Sequence, residues 1–298
     1  MRSIKLTAHA KVNLFLKILN RRKDGYHNIF TLFERISLSD KIIITAIPKG
    51  IEVSSDKFIT SDPKNNLAYK AAESILKYKR LKKGVNIRII KGIPIAAGLG
   101  GGSSDAASVL LGINKLYNLC LSQDKLLFLA KKLGADVPFF ILNSSFGLGR
   151  RKGDDLVRIK SGRILWHLIV YSGSKTSTKD IYDAFDRKAK SQPKGLTFKV
   201  EDDKIPRYLT GSSDFKTLEN MLRNDLEDIA VSKNIRLKSI IERLASHLGR
   251  KAIISGSGPS VFCLCRTGKE AMAAKEKLFK VVPAGERKNW QVFIARTK

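Results

Sequence analysis

The sequence contains no apolar run long enough to cross a membrane. Its apolar segments, such as residues 41–44 and 164–171, are of strand length, whereas a membrane-spanning helix needs about 20 consecutive apolar residues. Residues 1–7 alternate apolar and polar side chains and have no hydrophobic signal-peptide core. We therefore expect a cytoplasmic protein with no membrane partner.

Cysteine and histidine are scarce. The three cysteines, Cys120, Cys263 and Cys265, cannot all pair, and the last two alternate within an apolar, strand-like run. We expect them to be reduced thiols of a core or sheet rather than a metal knuckle. None of the four histidines lies four residues from another, so their spacing indicates no metal site. Tandem repeats and low-complexity segments are also missing.

Acidic residues are few beside the basic ones: 27 Asp and Glu stand against 56 Lys and Arg, for a net charge of +29. Such a balance suggests nucleic acid, anionic lipid or a polyphosphate ligand. The basic residues are scattered, however, with only short clusters at 77–83 and 149–152. No aromatic-interleaved motif of a nucleic-acid module occurs. We favour a solvated basic surface and expect no nucleic-acid partner.

The chain has 298 residues, of which 43% are hydrophobic, enough for two globular domains that each bury a core. Hydrophobic periodicity predicts a mixed α and β chain. Up to residue 171 we predict strands at 42–47, 85–90 and Trp166–Tyr171, and helices at Leu67–Tyr78, 104–117 and Gln123–Leu133. A change of composition near 150–162 divides the chain into domains 1–160 and 161–298.

The second half is predicted from the same signals. We predict a short helix around 181–185 within a polar stretch, then a long helical region over 224–248. A strand pair at 252–255 and 261–265, a helix at 270–279 and a strand at 290–295 follow.

A glycine cluster within residues 94–108 is the strongest functional signal. Four glycines fall within the five residues 98–102, and Ser103, Ser104 and Asp105 then begin a helical pattern. Glycines let the backbone curl around an anion, and the free N–H groups of a helix start favour negative charge. We interpret this segment as a phosphate-binding loop. A P-loop would require a Lys-Ser or Lys-Thr pair at Ser103, and a dinucleotide fingerprint would require glycine there. A flexible linker would not be flanked by apolar segments.

Three further segments carry isolated polar groups. Lys11 and Asn13 lie two apart in the apolar strand pattern of 8–16, so they share a face that points either to solvent or into a site. Asp136 is the one carboxylate of 134–140 and suits either a helix cap or a functional role. The glycines of 255–260 form a second tight loop, either a simple hairpin turn or part of a site.

Together these segments resemble the GHMP kinase superfamily. The resemblance rests on residues 10–16, 24–27, 98–107, 134–139, 224–227 and 255–259. Within the superfamily, the chain is similar to the branch that phosphorylates the 2-hydroxyl of a cytidine-diphosphate sugar alcohol in isoprenoid precursor synthesis. The Asp-Gly-Tyr-His segment at 24–27 favours this branch over homoserine or mevalonate kinases, which have no cytosine to stack.

The resemblance implies an α+β fold of two domains. An N-terminal ATP-binding domain like domain 2 of ribosomal protein S5 is followed by a ferredoxin-like α+β domain, with the active site between them. The implied co-substrate is ATP with Mg²⁺. Lys11 and Asp136 would be the catalytic pair, in which Asp136 accepts the proton of the attacking hydroxyl beside Lys11.

Binding residues also follow from the resemblance. Tyr26, His27 and Tyr182 would form the cytidine pocket, while Asn13 and Thr178 hold the substrate. The implied ATP-binding residues are Pro94, Ala96, Gly98, Leu99, Gly100, Gly101, Gly102, Ser103 and Ser104.

Some positions depart from the superfamily pattern. His9 stands in place of a proline, and Ser172-Gly173 in place of a Pro-Gly pair. Residues 143–155 replace a glycine-rich turn and a Gly-x-Gly-Glu segment, whose acidic position survives as either Asp154 or Asp155. We therefore assign no magnesium ligand. Two alternative hypotheses for the function are a nucleic-acid-binding protein and an inactive relative of the kinases. The presence of both Lys11 and Asp136 argues against an inactive relative, and the sequence does not indicate an oligomeric state.

Overall fold

The computed structural model describes residues 2–174, 177–190, 204–211 and 213–298. Its strands are Ser3–Arg21 (β1), His27–Ile47 (β2), Ile51–Ser55 (β3), Gly84–Ile90 (β4), Phe146–Arg150 (β5), Asp155–Ile159 (β6), Trp166–Tyr171 (β7), Arg223–Asn224 (β8), Ala252–Ile254 (β9), Ser260–Cys265 (β10) and Gln291–Arg296 (β11). Its helices are Leu67–Tyr78 (α1), Gly101–Leu116 (α2), Gln123–Leu133 (α3), Val137–Ile141 (α4), Thr178–Lys190 (α5), Lys204–Thr210 (α6), Phe215–Met221 (α7), Glu227–Lys233 (α8), Ile235–Leu248 (α9), Gly268–Val281 (α10) and Ala284–Arg287 (α11). Across these described ranges, no helix has the length and apolarity to span a membrane.

The first sheet is built around the long hairpin of β1 and β2. Its strand order is β3-β4-β2-β1-β8, and β5 pairs with both β2 and β6. The register of the β1–β2 pair shifts between His9 and Lys11, as in a β-bulge. As a result Ala8 packs in the core under the helices, whereas Ala10 packs in a different core.

The second sheet has the order β11-β7-β10-β9, with every neighbouring pair antiparallel. Helices separate β7 from β9 and β10 from β11, which gives the β-α-β-β-α-β arrangement of a ferredoxin-like fold. This agrees with the fold class predicted for the second half. The predicted division at residue 160 falls between β6 and β7, although β8 of the second half pairs with β1 of the first sheet.

The core has three layers. The first lies between the first sheet and α1 to α4, and it is rich in alanine where α1 and α2 approach the strands. The second joins the two sheets, where Val12 and Leu14 of β1 belong to the same cluster as Ile169 and Phe262 of the second sheet. The third lies between the second sheet and α8 to α10. The two halves are therefore joined by a shared apolar core.

Most helix boundaries follow local capping signals. The side chains of Asn66, Ser122 and Asn234 each accept a hydrogen bond from a backbone N–H in the first turn of α1, α3 and α9, as N-caps do. Gly134 follows α3, and Gly249 ends α9 in the left-handed conformation with φ of 62°. The buried residues of α1, Ala68, Ala71, Ala72, Ile75 and Leu76, occupy one face.

Three predicted helix boundaries were wrong. The single region over 224–248 is two helices, α8 and α9, because Asn234 adopts an extended conformation with φ of −145°. The helix after the glycine cluster begins at Gly101 rather than 104, since the left-handed Gly100 turns the chain into it. The helix predicted around 181–185 extends over Thr178–Lys190.

Cys263 and Cys265 are buried in β10, and no disulfide joins the three cysteines. The expectation of a thiol within the core or a sheet is confirmed for Cys263 and Cys265 and is wrong for Cys120, which is exposed and follows α2.

Candidate active site

Lys11 and Asn13 project from β1 toward the same point. The Nζ of Lys11 donates a 2.6 Å hydrogen bond to Oδ1 of Asn13, as the two-residue period of a strand allows. Asn13 donates in turn to Oγ1 of Thr31 at 2.8 Å, and Thr31 donates to the carbonyl of Phe15. Lys11 and Asn13 are 4% and 3% exposed. A buried series of hydrogen bonds thus orients the ammonium group of Lys11.

Asp136 stands at the N-terminus of α4 and faces Lys11. Its Oδ2 lies 3.3 Å from the Lys11 Nζ. The carboxylate makes no capping hydrogen bond to α4, so the simple helix-cap interpretation does not describe it. One third of the side chain is exposed, which leaves a carboxylate oxygen open to the cleft.

The glycine cluster turns directly into α2. Gly98 and Gly100 have φ of 75° and 68°, values that favour glycine. A Cβ atom on Gly100 would lie 2.9 Å from Cγ of Lys11, and the Lys11 N–H donates to the carbonyl of Leu99 at 2.9 Å. Gly100 caps α2 without a side chain, so the N–H groups of its first turn face outward as an anion-binding terminus.

The predicted ATP-binding residues differ in accessibility. Gly98, Gly100 and Ser103 line the cleft, and Ala96 and Gly102 are exposed. Pro94, Leu99 and Ser104 are buried, and Gly101 is half-buried. The Ser104 N–H donates to the carbonyl of Gly100, so it belongs to the helix rather than to the open first turn.

The second glycine loop is the turn between β9 and β10, and it touches the first. Ser255 donates from its hydroxyl to the carbonyl of Gly98 at 3.0 Å. Asn224 holds the loop from behind, since its side-chain amide donates to the carbonyls of Ile254 and Gly256 at 2.9 and 2.7 Å. The Asn-Asp-Leu-Glu segment at 224–227 therefore holds this loop in place through hydrogen bonds.

The three predicted pocket aromatics, Tyr26, His27 and Tyr182, all line the cleft. Tyr182 stacks on His27 with ring centroids 4.9 Å apart. Tyr26 is 59% exposed, and the Nζ of Lys152 lies 4.9 Å above its ring. Burial, followed by the charge of Asp136, raises the pKa of the Tyr182 phenol, which therefore keeps its proton at neutral pH.

These residues meet in one cleft of about 750 Å³. It joins the catalytic candidates Lys11 and Asp136 to Asn13, Thr178, the three aromatics and both glycine loops. Thr178 reaches it from α5, where its hydroxyl is 2.8 Å from that of Ser257. Residues far apart in sequence are thus assembled on the surface that joins the two halves.

Sequence reasoning missed several residues that line this cleft or contact its lining residues. Ser257 fell within the quoted glycine loop but was given no role, and Arg21 and Lys152 also line the walls. Thr31 is fully buried and contacts Asn13. Asp186 contacts His27. Only Asp186 had a readable signal, since it lies four residues after Tyr182 on the same helix.

A buried charge cluster underlies the glycine loop. The Nζ of Lys91 contacts Asp40 and lies 3.0 Å from Oδ2 of Asp105 in the first turns of α2. Asp40 also accepts from the N–H groups of Gly92 and Ile93. Burial raises the pKa of Asp105 to about 7, against the opposing effect of Lys91. This cluster ties the segment before the loop to the helix after it.

One cleft is lined by the glycine-started helix α2, the Lys11–Asp136 pair and an aromatic wall of Tyr26, His27 and Tyr182, a combination that suits phosphoryl transfer to a small molecule. The fold and cleft define a small-molecule kinase of the GHMP type. Residues 66–144 match the sequence family described as GHMP kinases N terminal domain, and residues 207–284 match GHMP kinases C terminal.

Comparison with similar proteins identifies the family within the GHMP kinases. The chain is 39% identical to a 4-diphosphocytidyl-2-C-methyl-D-erythritol kinase of Geobacter metallireducens, over 93% of this chain and 95% of that protein. A crystal structure of 4-(cytidine 5'-diphospho)-2C-methyl-D-erythritol kinase matches with a TM-score of 0.79 and 31% identity, covering 98% of both chains. Homoserine kinase from Cytophaga hutchinsonii matches with a TM-score of 0.75 and 19% identity, covering 100% and 95%, which shows a shared fold alone. The chain belongs to the 4-diphosphocytidyl-2-C-methyl-D-erythritol kinase family of the GHMP kinases, for which ATP is the co-substrate.

Proposed function

We propose that this chain transfers the γ-phosphoryl group of ATP to the 2-hydroxyl of 4-diphosphocytidyl-2-C-methyl-D-erythritol. The observation that carries the proposal is the 3.3 Å pair of Lys11 and Asp136 in the cleft. The helix start of α2 and the aromatic wall line the same cleft. The products would be the 2-phosphate and ADP.

Asp136 and Lys11 have separate roles in the proposed transfer. The oxygen of the substrate's 2-hydroxyl bonds to the γ-phosphorus of ATP while Asp136 accepts the proton of that hydroxyl. The bond from the γ-phosphorus to the bridging oxygen of ADP breaks. An ammonium group has three N–H donors. Two of those of Lys11 are directed to Asn13 and Asp136, and the third serves the negative charge on the transferred group.

The nucleotide end is assigned to the glycine loop. The backbone N–H groups at the start of α2, around Gly100 to Ser103, would cradle the phosphates. Gly98 and the Ser255 loop hold that backbone in place. We propose the predicted residues from Pro94 to Ser104 as this site, in which the buried Leu99 and Ser104 support the loop, since the Leu99 carbonyl accepts from Lys11 and the Ser104 N–H donates to Gly100.

Mg²⁺ would accompany ATP. The described residues contain no cluster of three or more metal-ligating His, Cys, Asp or Glu side chains. A hard ion held mainly by phosphate oxygens and water needs only one or two protein oxygens. Ser103, in the first turn of α2, is an oxygen-bearing side chain of the cleft that would be close to phosphates held there. The ion would supply positive charge that offsets the phosphates.

The cytidyl end is assigned to Tyr26, His27 and Tyr182. A pyrimidine needs an aromatic surface to stack on and hydrogen bonds along its edge. Tyr26 offers an exposed ring and His27 a polar edge within the same cleft. Thr178 and Asn13 would hold the erythritol portion, because both are polar and line the same cleft as Lys11.

The test is an ADP-release assay with purified protein and magnesium-ATP. The cytidyl substrate would be run beside homoserine and mevalonate, which represent the nearest alternative kinases. We expect turnover with the cytidyl substrate only. Turnover with another alcohol instead would keep the Lys11–Asp136 chemistry and overturn the assignment of the aromatic wall.

A further inference from the structure

His27 is held on two sides by one face of α5. Tyr182 and Asp186 are four residues apart, so their side chains project from the same face of that helix. Tyr182 stacks on the imidazole ring, and Oδ1 of Asp186 lies 2.7 Å from its Nε2. One contact restrains the plane of the ring and the other its rotation. The side chain of His27 is only 5% exposed.

Asp186 is held in turn by Arg21. Oδ2 of Asp186 lies 3.3 Å from Nε of Arg21, and Arg21 is the residue paired with His27 across β1 and β2. The carboxylate, which is 15% exposed, therefore joins α5 to both strands of the hairpin. Each of its two oxygens accepts from a different donor.

This arrangement decides which ring nitrogen of His27 carries the proton. In a neutral imidazole one nitrogen is a donor and the other an acceptor, and the partner of one fixes the role of the other. An ionised carboxylate can only accept. Asp186 therefore places the proton on Nε2 of His27, and Nδ1 is left as an acceptor.

We propose that Asp186 is a positioning residue that makes the site select cytosine over uracil by holding His27 with Nδ1 as an acceptor. The inference rests on the proposed function, in which His27 faces the base. Cytosine carries an amino group, a donor, where uracil carries a carbonyl oxygen. Nδ1 of His27, as an acceptor, forms a hydrogen bond with the amino group of cytosine and repels the carbonyl oxygen of uracil.

The substitution Asp186→Asn should reverse the pattern at His27. Asparagine offers one acceptor oxygen and one amino group. Because the Arg21 guanidinium can only donate, it takes the oxygen, and the amino group turns to Nε2. That nitrogen must then accept, so the proton moves to Nδ1. The variant changes no atom that touches the nucleotide.

The tautomer can be measured without any catalysis. Protein labelled with ¹⁵N-histidine would be studied by long-range ¹H–¹⁵N NMR at pH 8, with the signals of His27 assigned from their loss in His27→Gln. We expect the wild type and Asp180→Asn, an exposed carboxylate of the first turn of α5, to show a protonated Nε2 and a bare Nδ1. Asp186→Asn should show the reverse. A bare Nε2 in the wild type, or protons on both nitrogens, would overturn the proposal.

Base selection is measured with CDP and UDP, and then with the cytidyl substrate and its uridyl analogue. Loss of a buried hydrogen bond and a new unpaired group should lower the preference for cytidyl roughly tenfold or more in Asp186→Asn. Asp180→Asn should keep the wild-type ratio. An unchanged ratio in Asp186→Asn overturns the role of Asp186. If no variant turns over either substrate, the proposed function fails, whereas the CDP and UDP affinities still decide the inference.

Discussion

The hydroxyl of Ser255 donates a 3.0 Å hydrogen bond to the carbonyl of Gly98, which joins the two glycine loops of the cleft. The N–H of Ser260 adds a second bond to the carbonyl of Ala97 at 3.2 Å. These contacts lie where the β9–β10 turn meets the loop before α2. The wall that would face the ATP phosphates is therefore held by backbone from both halves of the chain.

Gly98→Ala should damage this wall. A Cβ there would lie 2.4 Å from the Ser255 carbonyl oxygen, and the residue has φ of 75°. We expect a loss of about 2 kcal/mol or more in the free energy of unfolding, measured by urea denaturation. Gly162→Ala is the control, because a Cβ there meets nothing within 4 Å. Equal stability of the two variants would contradict the packing described.

Thr297→Val should weaken the joint between the halves. Thr297 donates to the fully buried Glu34 at 2.6 Å and accepts from the N–H of Leu165 at 2.7 Å. Valine keeps the shape but leaves both partners short of a hydrogen bond, at a cost of about 1–3 kcal/mol. Thr297→Ser retains the hydroxyl and should lose less. Thermal and urea denaturation would compare the pair, and the opposite order would refute this role for the hydroxyl.

Asp136→Asn should lower turnover on the order of a hundredfold or more, because the amide cannot take the proton of the attacking hydroxyl. ATP affinity, measured by calorimetry, should change little. Asp124→Asn, at an exposed position in the first turn of α3, is the matched control and should retain turnover. Wild-type turnover in Asp136→Asn would remove this residue from the chemistry.

Tyr26→Ala should raise the KM for the cytidyl substrate more than the KM for ATP. Stacking of a base on an aromatic ring contributes about 1–3 kcal/mol, so an increase of roughly tenfold is expected at this exposed ring. Tyr78→Ala removes a 41% exposed tyrosine at the end of α1 and should change neither constant. If the KM for ATP rises more, Tyr26 belongs to the ATP site, and the assignment of the cytidyl and ATP sites is reversed.

Asp105 should make stability depend on pH. Burial raises its folded-state pKa to about 7, whereas the unfolded carboxyl titrates near about 3.9. The protonated carboxyl is favoured in the fold, so its contribution is fully present below about pH 4 and is lost as pH rises through about 7. Urea denaturation from pH 4.5 to 8 should show a decline in the wild type that Asp105→Asn lacks. Parallel curves would refute the shifted titration.

The sequence predicted the parts of the site that depend on close neighbours. Strand periodicity put Lys11 and Asn13 on one face, and the density of glycine marked the loop before α2. Cap residues such as Ser122 and the helical spacing of α1 likewise act within a few residues. The side chains of Lys11 and Asn13 do meet, at 2.6 Å.

Predictions failed where distant contacts or a single dihedral angle decided the outcome. Asn234 breaks a continuous helical pattern by leaving helical φ and ψ, and Gly100 starts α2 earlier than the serines suggested. Residues such as Thr31 have no local signal at all, because their importance comes from one partner across a strand pair.

By itself, the amino-acid sequence determined the mixed α and β class, the strand that carries Lys11, the glycine loop and the family resemblance, since periodicity, composition and motif spacing are local properties. Only the tertiary structure decided that Asp136 reaches Lys11, that Ser255 binds Gly98 and that Asp186 holds His27. Those contacts join residues far apart in the chain. They depend on how two sheets pack through a shared core, which no short segment encodes.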